Sequence, residues 1–501
     1  MKPTRRTLLK IPLAAPALAA GSAVADVGAL GRWLRTWIQP DGAIHGFHNH
    51  SVWGDNPFRY GDFTCGHSTF ASPLLAALAR AWSLRPDPRA QSLLHTLAGF
   101  QVRAVQADGQ FAHIGFQVGE TLKRGLIHNV VPCVALCEAA RLAGDALGAE
   151  LRSAIDRRVR AVLETCGRLY GERVNRGVAN QEYCRLWARL AHMQAFGHRE
   201  WDGQVRDGLA QLAQDFLVAG VPDPESAGVL RTAADRELIE PAEYYGLMIH
   251  PLVLAYERDR DTAWLEQAAR LARHVIRSAW IDARQCRRVH RLWSFLQGEW
   301  RRADEPMLIG GIGITLSSIA ALDRVRPDPE FRRFLDEMDR TYARYQTPGG
   351  FFLAASGWHA EPDLIPSSAW QSHDFDHLIA RHGAPAGFWD AFFAPHPGAV
   401  AVFGVSMIWV ETADHWSLRG YETAHGLELV GRKDRARFAV DIPTWIRDAR
   451  HAPRELLMPD EPRFARARDG IYQTRGRRDV RAFSTLPVNV HLLDPSRRAP
   501  A

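Results

Sequence analysis

The sequence is short of lysine, of paired cysteines and of long apolar runs, and each shortage removes a class of protein. The lysines are Lys2, Lys10, Lys123 and Lys433, so nearly all positive charge is arginine. Its planar guanidinium suits bidentate recognition of carboxylates, although biased base composition produces the same texture. The six cysteines, Cys65, Cys133, Cys137, Cys166, Cys184 and Cys286, contain no CxxC pair, which argues against a zinc ribbon or a thioredoxin-type centre. The glycine cluster "LIGGIGIT" at 308–315 lacks a Walker lysine and a preceding strand–helix–strand context. Nucleotide binding is therefore not indicated, and these glycines are expected to let a helix begin close to its neighbours. No G-x-S-x-G elbow occurs.

What is present begins with "MKPTRRTLLKIPLAAPALAAGSAVAD". Arg5 and Arg6, Lys10 before a short apolar run, and Ala23-Val24-Ala25 as a small-x-small cleavage site read as a twin-arginine export signal over residues 1–25. A retained anchor is disfavoured, because the run from Ile11 to Ala25 carries two prolines and falls short of the roughly 20 residues a span needs. The mature chain is then expected in the periplasm or outside the cell, with no membrane span. Disulfides are permitted there, but export in the folded state makes buried free thiols as natural as bridges. Losing Lys2, Arg5, Arg6 and Lys10 takes the formal charge from +6 to +2. That balance gives no sign of a nucleic-acid partner.

With 46% hydrophobic residues, 16 Trp and 22 Phe in 501 residues, the chain has material for a large core and more than one domain. Amphipathic patterns follow one another in pairs, near 27–38, 70–84, 87–102, 127–144, 147–168, 177–196, 201–218, 241–257, 261–280, 308–323 and 328–346, with short Gly/Pro/Asp turns and almost no strand signal between. Successive helical hairpins without a strict repeat predict an α/α toroid over 26–390, an incomplete barrel with one helix of each pair inside and one outside. Segments 127–144, 177–196 and 241–257 are the apolar inner type; 147–168 and 261–280, rich in Arg, Glu and Asp, are the outer type. From about 391 to 501, runs such as "GAVAVFGVSMIWV" and "GLELVG" predict a smaller β-rich, sandwich-like region. Its start is loosely fixed, since "GGFFLAASGW" at 349–358 also reads as strand.

Three polar clusters compete as the chemical centre. In "RGVANQEYCRLWARLAHMQAF", Asn180 and Gln181 open an otherwise apolar helix. Asn180 is either a helix cap or an amide aimed at a substrate carboxylate. In "EPAEYYGLMIHPLVLAYE", Tyr244 and Tyr245 lie about 100° apart around a helix, so one ring is expected in the core and one in a cleft, with His250 one to two turns on. In "DGAIHGFHNHSVWGDNPFRYGDFTCGH", His45, His48 and His50 with Asp55 and Asp62 offer metal donors. The spacing fits no ligand motif, and a sugar-binding rim in which Trp53 or Phe58 stacks on pyranose faces is preferred; Arg59 lies in the same loop. Arg124, His128 and Asn129 in "LKRGLIHNVVPC" are further cleft candidates. No cofactor is called for.

Two of these segments carry a resemblance. "NQEYCRLWARLA" resembles the Asn-His helix of the alginate lyase and heparinase-type polysaccharide lyases with α/α toroids. "EPAEYYGLMIHPLVL" resembles the Glu-Gly-Pro-Tyr-Tyr helix of the oligoalginate lyases. The resemblance implies β-elimination on a uronic-acid polysaccharide or oligosaccharide. Asn180 would neutralise the carboxylate and Tyr244, 64 positions later, would donate the proton. Gln181 stands where the family has His, so the base is His128, His250 or Tyr244 itself, and His373 or His415 is a further contributor. Arg185 and Arg59 would supply cations that lower the tyrosine pKa, and Gln181, Tyr245, Asn129, Arg124 and Trp53 would contact substrate. The competing readings are a glycoside hydrolase on the same toroid, with Asp62, Glu182, Glu240 and Glu243 available as paired carboxylates, and a non-catalytic periplasmic glycan-binding protein.

Overall fold

The computed structural model describes residues 24–35, 38, 42, 44, 72–111, 125–171, 177–217, 239–281, 285–290, 310–346, 350–352 and 371–395, together with the backbone of the strands named below. Its helices are α1 (Val27–Arg35), α2 (Pro73–Leu84), α3 (Pro88–Arg103), α4 (Leu126–Leu142), α5 (Gly144–Tyr170), α6 (Ala179–Phe196), α7 (Asp202–Phe216), α8 (Tyr245–Asp259), α9 (Thr262–Ser278), α10 (Gly313–Val325), α11 (Pro329–Tyr345), α12 (Gln371–His382) and α13 (Phe388–Phe393). A single 3-10 turn, Ala242–Tyr244, leads into α8.

The even-numbered helices α2, α4, α6, α8, α10 and α12 pack each against the next, and α12 returns to α2, so the inner ring is closed rather than incomplete. The odd-numbered helices pack outside it. Composition explains the sorting. Fourteen of the 17 residues of α4 are buried, as a helix apolar all round must be. Outer helix α11 instead buries one stripe, Phe331, Phe334, Leu335, Met338 and Tyr342, at helical spacing. Each such aromatic or aliphatic side chain contributes about 1.5–3 kcal/mol on burial.

Helix capping follows the same division. Outer helices α3, α9 and α11 start with their own aspartates, Asp87, Asp261 and Asp328, which accept from first-turn amides. Inner helices α6, α8 and α10 have no side-chain cap of their own and take one from the next segment round the ring. The Asn180 amide of α6 donates to Glu240 (3.0 Å), the Gly246 amide of α8 to Thr315 Oγ1 (2.9 Å), and the Gly313 amide of α10 to Asp374 Oδ1 (2.8 Å). Two glycines make this approach possible. A Cβ on Gly246 would collide with the Ile314 backbone, and one on Gly313 with the backbone at Asp374. Gly313 lies in "LIGGIGIT", so that cluster has the packing role expected of it.

Links that leave inner helices are one to five residues long, whereas those that enter them run from eight residues (171–178) to 37 (36–72). All long connections therefore meet one face of the ring, at the inner-helix N-termini. They carry strands, contrary to the near absence expected. The hairpins β1–β2 (Gly46–His48, Asp62–Cys65), β3–β4 (Phe116–Val118, Thr121–Lys123) and β7–β8 (Trp293–Leu296, Glu299–Arg302) are antiparallel. A five-stranded sheet joins β5 (Trp280–Ile281), β6 (Arg287–His290), β9 (Met307–Leu308), β10 (Ala355–Trp358) and β11 (Glu361–Asp363) in the order β11-β10-β9-β6-β5. The strand at 355–358 thus belongs to the α11–α12 connection. Toward the C-terminus, β12 (Ala399–Phe403), β13 (Met407–Glu411), β14 (Ser417–Thr423), β15 (Gly426–Arg432), β16 (Phe464–Arg468), β17 (Ile471–Thr474) and β18 (Asn489–Leu492) form one antiparallel sheet in the order β16-β17-β15-β14-β13-β12-β18. The architecture is an α/α toroid followed by a smaller β-rich region. No helix among the described residues is long and apolar enough to cross a membrane. Cys133, Cys137, Cys166, Cys184 and Cys286 are free and buried, and burial pushes the first four thiols above their ordinary range.

Candidate active site

The N-termini of six inner helices converge on the face with the long connections. Each brings the positive end of its dipole, an arrangement that favours anions, although first-turn amides of α6, α8 and α10 are already taken by their borrowed caps. The same face collects His128 and Asn129 from α4, Asn180, Gln181 and Glu182 from α6, Glu240, Glu243 and Tyr244 from the α7–α8 connection, and Gln371, His373 and Asp374 from α12. Asn180, Tyr244, His128 and Gln181, distant in sequence, are gathered by the ring at one mouth.

Asn180 is not a cap: Val178 holds that position. Its amide Nδ2 donates to both oxygens of Glu240, each at 3.1 Å, and its backbone N–H donates to Oε1. Burial raises the Glu240 carboxyl to about 8 against these bonds, with Glu243 adding to the rise. Glu182, in a 2.6 Å ion pair with Arg185, is raised by burial to about 7. Burial also raises Asp374 to about 7, although Gly311, Gly313 and Tyr342 donate to it. Burial thus weakens the acidity of all three carboxyls, and Glu182 is matched by Arg185.

Tyr244 is held by its backbone. Thr315 Oγ1 donates to the Ala242 carbonyl (2.8 Å) and accepts from Gly246 N–H (2.9 Å), bracketing the turn from α10. The ring is 8% exposed, at the edge of the core. Gln181, one position beyond the expected Asn180, is half-buried in the first turn of α6 and its side chain makes no hydrogen bond among the described residues. His128 is 4% exposed in the first turn of α4.

Several expectations fall elsewhere. Tyr245 does not contact substrate: it is fully buried, its ring 5.2 Å from His274 of α9. Of the two tyrosines, it is the core ring. Arg185 is also fully buried, its guanidinium spent on Glu182 and on the Gly171 carbonyl (2.7 Å). Asn129 accepts from Phe111 N–H (3.0 Å) and donates to the Gly125 carbonyl (3.1 Å), clamping the α3–α4 connection instead of facing a ligand. His250 lies in the second turn of α8, where it lines a cavity on the ring axis, and burial pushes it down to about 3. His373 lines the same cavity and is likewise pushed down to about 3 by burial. Trp53, Arg59, Arg124, Phe58, His45, His50, Asp55 and His415, and the side chains of His48 and Asp62, lie outside the described residues. Glu240, already available as a carboxylate in the sequence, stands just ahead of an apolar inner helix, whereas Asp374, inside the polar α12, emerges only once the ring is assembled.

Among the described residues, Asp156, His192 and His198 have the donors for a metal ion. Asp156 Oδ1 accepts from His192 Nε2 (2.7 Å) and His198 Nε2 (3.0 Å). Burial pushes the carboxyl up, but these two bonds outweigh it and hold it below its ordinary value. Arg152 and Arg160, one turn either side on α5, oppose a cation there, and the cluster reads as a latch between α5 and α6.

No protein-family model matches the sequence, and no curated protein matches it. Among solved structures, the chain is similar to a sugar epimerase from a ruminal bacterium, at TM-score 0.50 and 10% identity, over 70% of this chain and 96% of that one. It is also similar to a family 76 glycoside hydrolase from a bovine Bacteroides thetaiotaomicron strain, at TM-score 0.50 and 10% identity, over 73% and 77%. At that identity the likeness shows the toroidal fold.

Proposed function

We propose that the protein is an exported enzyme acting on carbohydrate, a lyase that cleaves a uronate-bearing polysaccharide or oligosaccharide by β-elimination at the N-terminal mouth. The carrying observation is the bracketed turn that holds Tyr244 at the face where the inner-helix N-termini converge, the face that also carries Gln181 in the first turn of α6. The helix ends and Gln181 neutralise the substrate carboxylate and so acidify the C5 proton. A base removes that proton, and an acid protonates the departing O4. Tyr244 serves as acid, and His128 or Tyr244 itself as base. Asn180 supports this centre through Glu240. The toroid followed by an antiparallel sheet accords with the lyase resemblance in "NQEYCRLWARLA" and "EPAEYYGLMIHPLVL", and the neighbours described above act on sugars by their names. The twin-arginine pattern at Arg5 and Arg6 supports a reaction in the periplasm or outside the cell.

One observation favours a second reading, glycoside hydrolysis. Glu240, raised to about 8, carries the proton of a general acid at neutral pH, and Glu243 is its near neighbour. A polyuronate panel separates the two. Ultraviolet absorbance from a new C4–C5 double bond, lost in Tyr244→Phe and reduced in Gln181→Ala, supports elimination. New reducing ends without that absorbance, lost in Glu240→Gln but not in Tyr244→Phe, reject elimination in favour of hydrolysis.

A further inference from the structure

The inner ring also encloses a cavity of about 200 Å³ on its axis, walled by side chains from all six inner helices. At one end Pro73, Val131, Ile314 and His373 are buried; at the other Arg141, Gln194, Glu257 and Arg324 are exposed. The cavity therefore opens on the face of short links, opposite the mouth where Tyr244 sits.

Its chemistry is graded from rim to floor. At the rim Arg80 pairs with Asp376 (2.8 Å) and Arg141 with Glu138 (2.5 Å). Arg324 has neither hydrogen bond nor ion pair among the described residues. Burial, then the neighbouring Arg80 charge, hold its pKa below the ordinary value, against the opposing pull of Glu257 and Asp376, neither of which reaches it as an ion pair. Deeper in, the rings of Trp187 and His250 stack at 4.6 Å and 14°. Ser317 donates to the Ile314 carbonyl (2.9 Å), so His250 Nε2 donates to Ser317 Oγ (3.1 Å), and burial keeps the imidazole neutral. Val134, Val253 and Leu254 complete an apolar wall.

We propose that this cavity is a second binding site, for a small ring-bearing carboxylate whose anionic end meets Arg324 and whose ring lies against Trp187. Apolar and polar side chains share the walls evenly, the apolar ones deeper and the charged ones at the rim, and a volume below the roughly 300 Å³ of drug-sized pockets limits the occupant to one ring. A guanidinium is a fitting partner for a carboxylate. Free uronic acids and aromatic acids both belong to this class. The site is independent of the reaction assigned to the opposite mouth, because binding rather than turnover reports it.

The test is calorimetric titration of the mature protein with sodium glucuronate, sodium benzoate and glucose. Saturable binding of at least one carboxylate is expected, with none for glucose. Arg324→Ala should weaken binding at least tenfold, while Arg89→Ala on the outer ring leaves it unchanged. Arg324 is exposed in the last turn of α10, and a melting temperature equal to the parent's establishes that the variant is folded. Whichever carboxylate binds names the source of the ligand. Silence from both, equal binding of glucose, or full affinity in Arg324→Ala overturns the proposal.

Discussion

Gly246→Ala probes the geometry on which the mouth depends. The added methyl falls inside van der Waals contact of the Ile314 carbonyl and the Thr315 amide. Both belong to backbone, so relief requires α8 and α10 to part. Overpacking of this kind costs about 1–3 kcal/mol. Parting the helices also stretches the 2.9 Å bond from Gly246 N–H to Thr315, worth about 1 kcal/mol. Alanine recovers at most about 1 kcal/mol of helix propensity, which leaves a net loss of about 2 kcal/mol. Gly203, in the first turn of outer helix α7, is the control, because nothing lies within 4 Å of the position its added methyl would take. There the same substitution should gain a few tenths to about 1 kcal/mol. Urea titrations followed by far-ultraviolet circular dichroism compare midpoints, which suits a chain with more than one folded region. The reasoning is refuted if Gly246→Ala unfolds at the parent's urea concentration or above, or if Gly203→Ala loses as much as Gly246→Ala.

Glu240 titrates near 8 in the folded chain against an ordinary 4.5, so the folded state holds that proton more tightly and stability falls as pH rises from about 4.5 to about 8. Glu240→Gln should flatten that slope and exceed the parent's stability at pH 9; an unchanged slope in urea midpoints at pH 4, 6 and 9 would falsify the assignment. Asn129→Ala leaves the buried Phe111 N–H without its side-chain acceptor, and denaturant titration should register a loss of about 1–3 kcal/mol for that amide. Arg5→Lys with Arg6→Lys should leave uncleaved precursor in the cytoplasm, read by fractionation and immunoblotting; normal export of the double variant contradicts a twin-arginine route.

Much of the toroid was legible because an amphipathic stripe and an all-round apolar helix differ in plain composition, as α11 and α4 do. Inner and outer assignments for α4, α5, α6, α8 and α9 follow from that difference alone. Helices α12 and α13 escaped, since "QSHDFDHLIARH" carries polar groups that become buried only when the ring closes. The strands β5–β9 escaped because their arginine-rich sequence alternates weakly. At the candidate site, the sequence placed Asn180 and Tyr244 at helix starts but not their partners across the ring. Asn180 and Glu240 are 60 positions apart, and a one-residue step of helical phase decided that Gln181, not Asn180, keeps its amide free. Similarly, nothing local distinguishes Tyr245, which is core, from Tyr244, which lies at the mouth.

The borrowed caps of α6, α8 and α10 separate two properties that most loops combine. Where an outer helix can fray alone, the first turns of these inner helices open only if a neighbour also lets go, and hydrogen exchange at Asn180, Gly246 and Gly313 should slow together as one block. Of the three caps, Glu240 comes from the α7–α8 connection, whereas Thr315 and Asp374 sit in helices themselves. A connection such as 36–72, which supplies none of the three caps, can therefore lengthen, shorten or change sequence while Asn180, Gly246 and Gly313 keep their spacing.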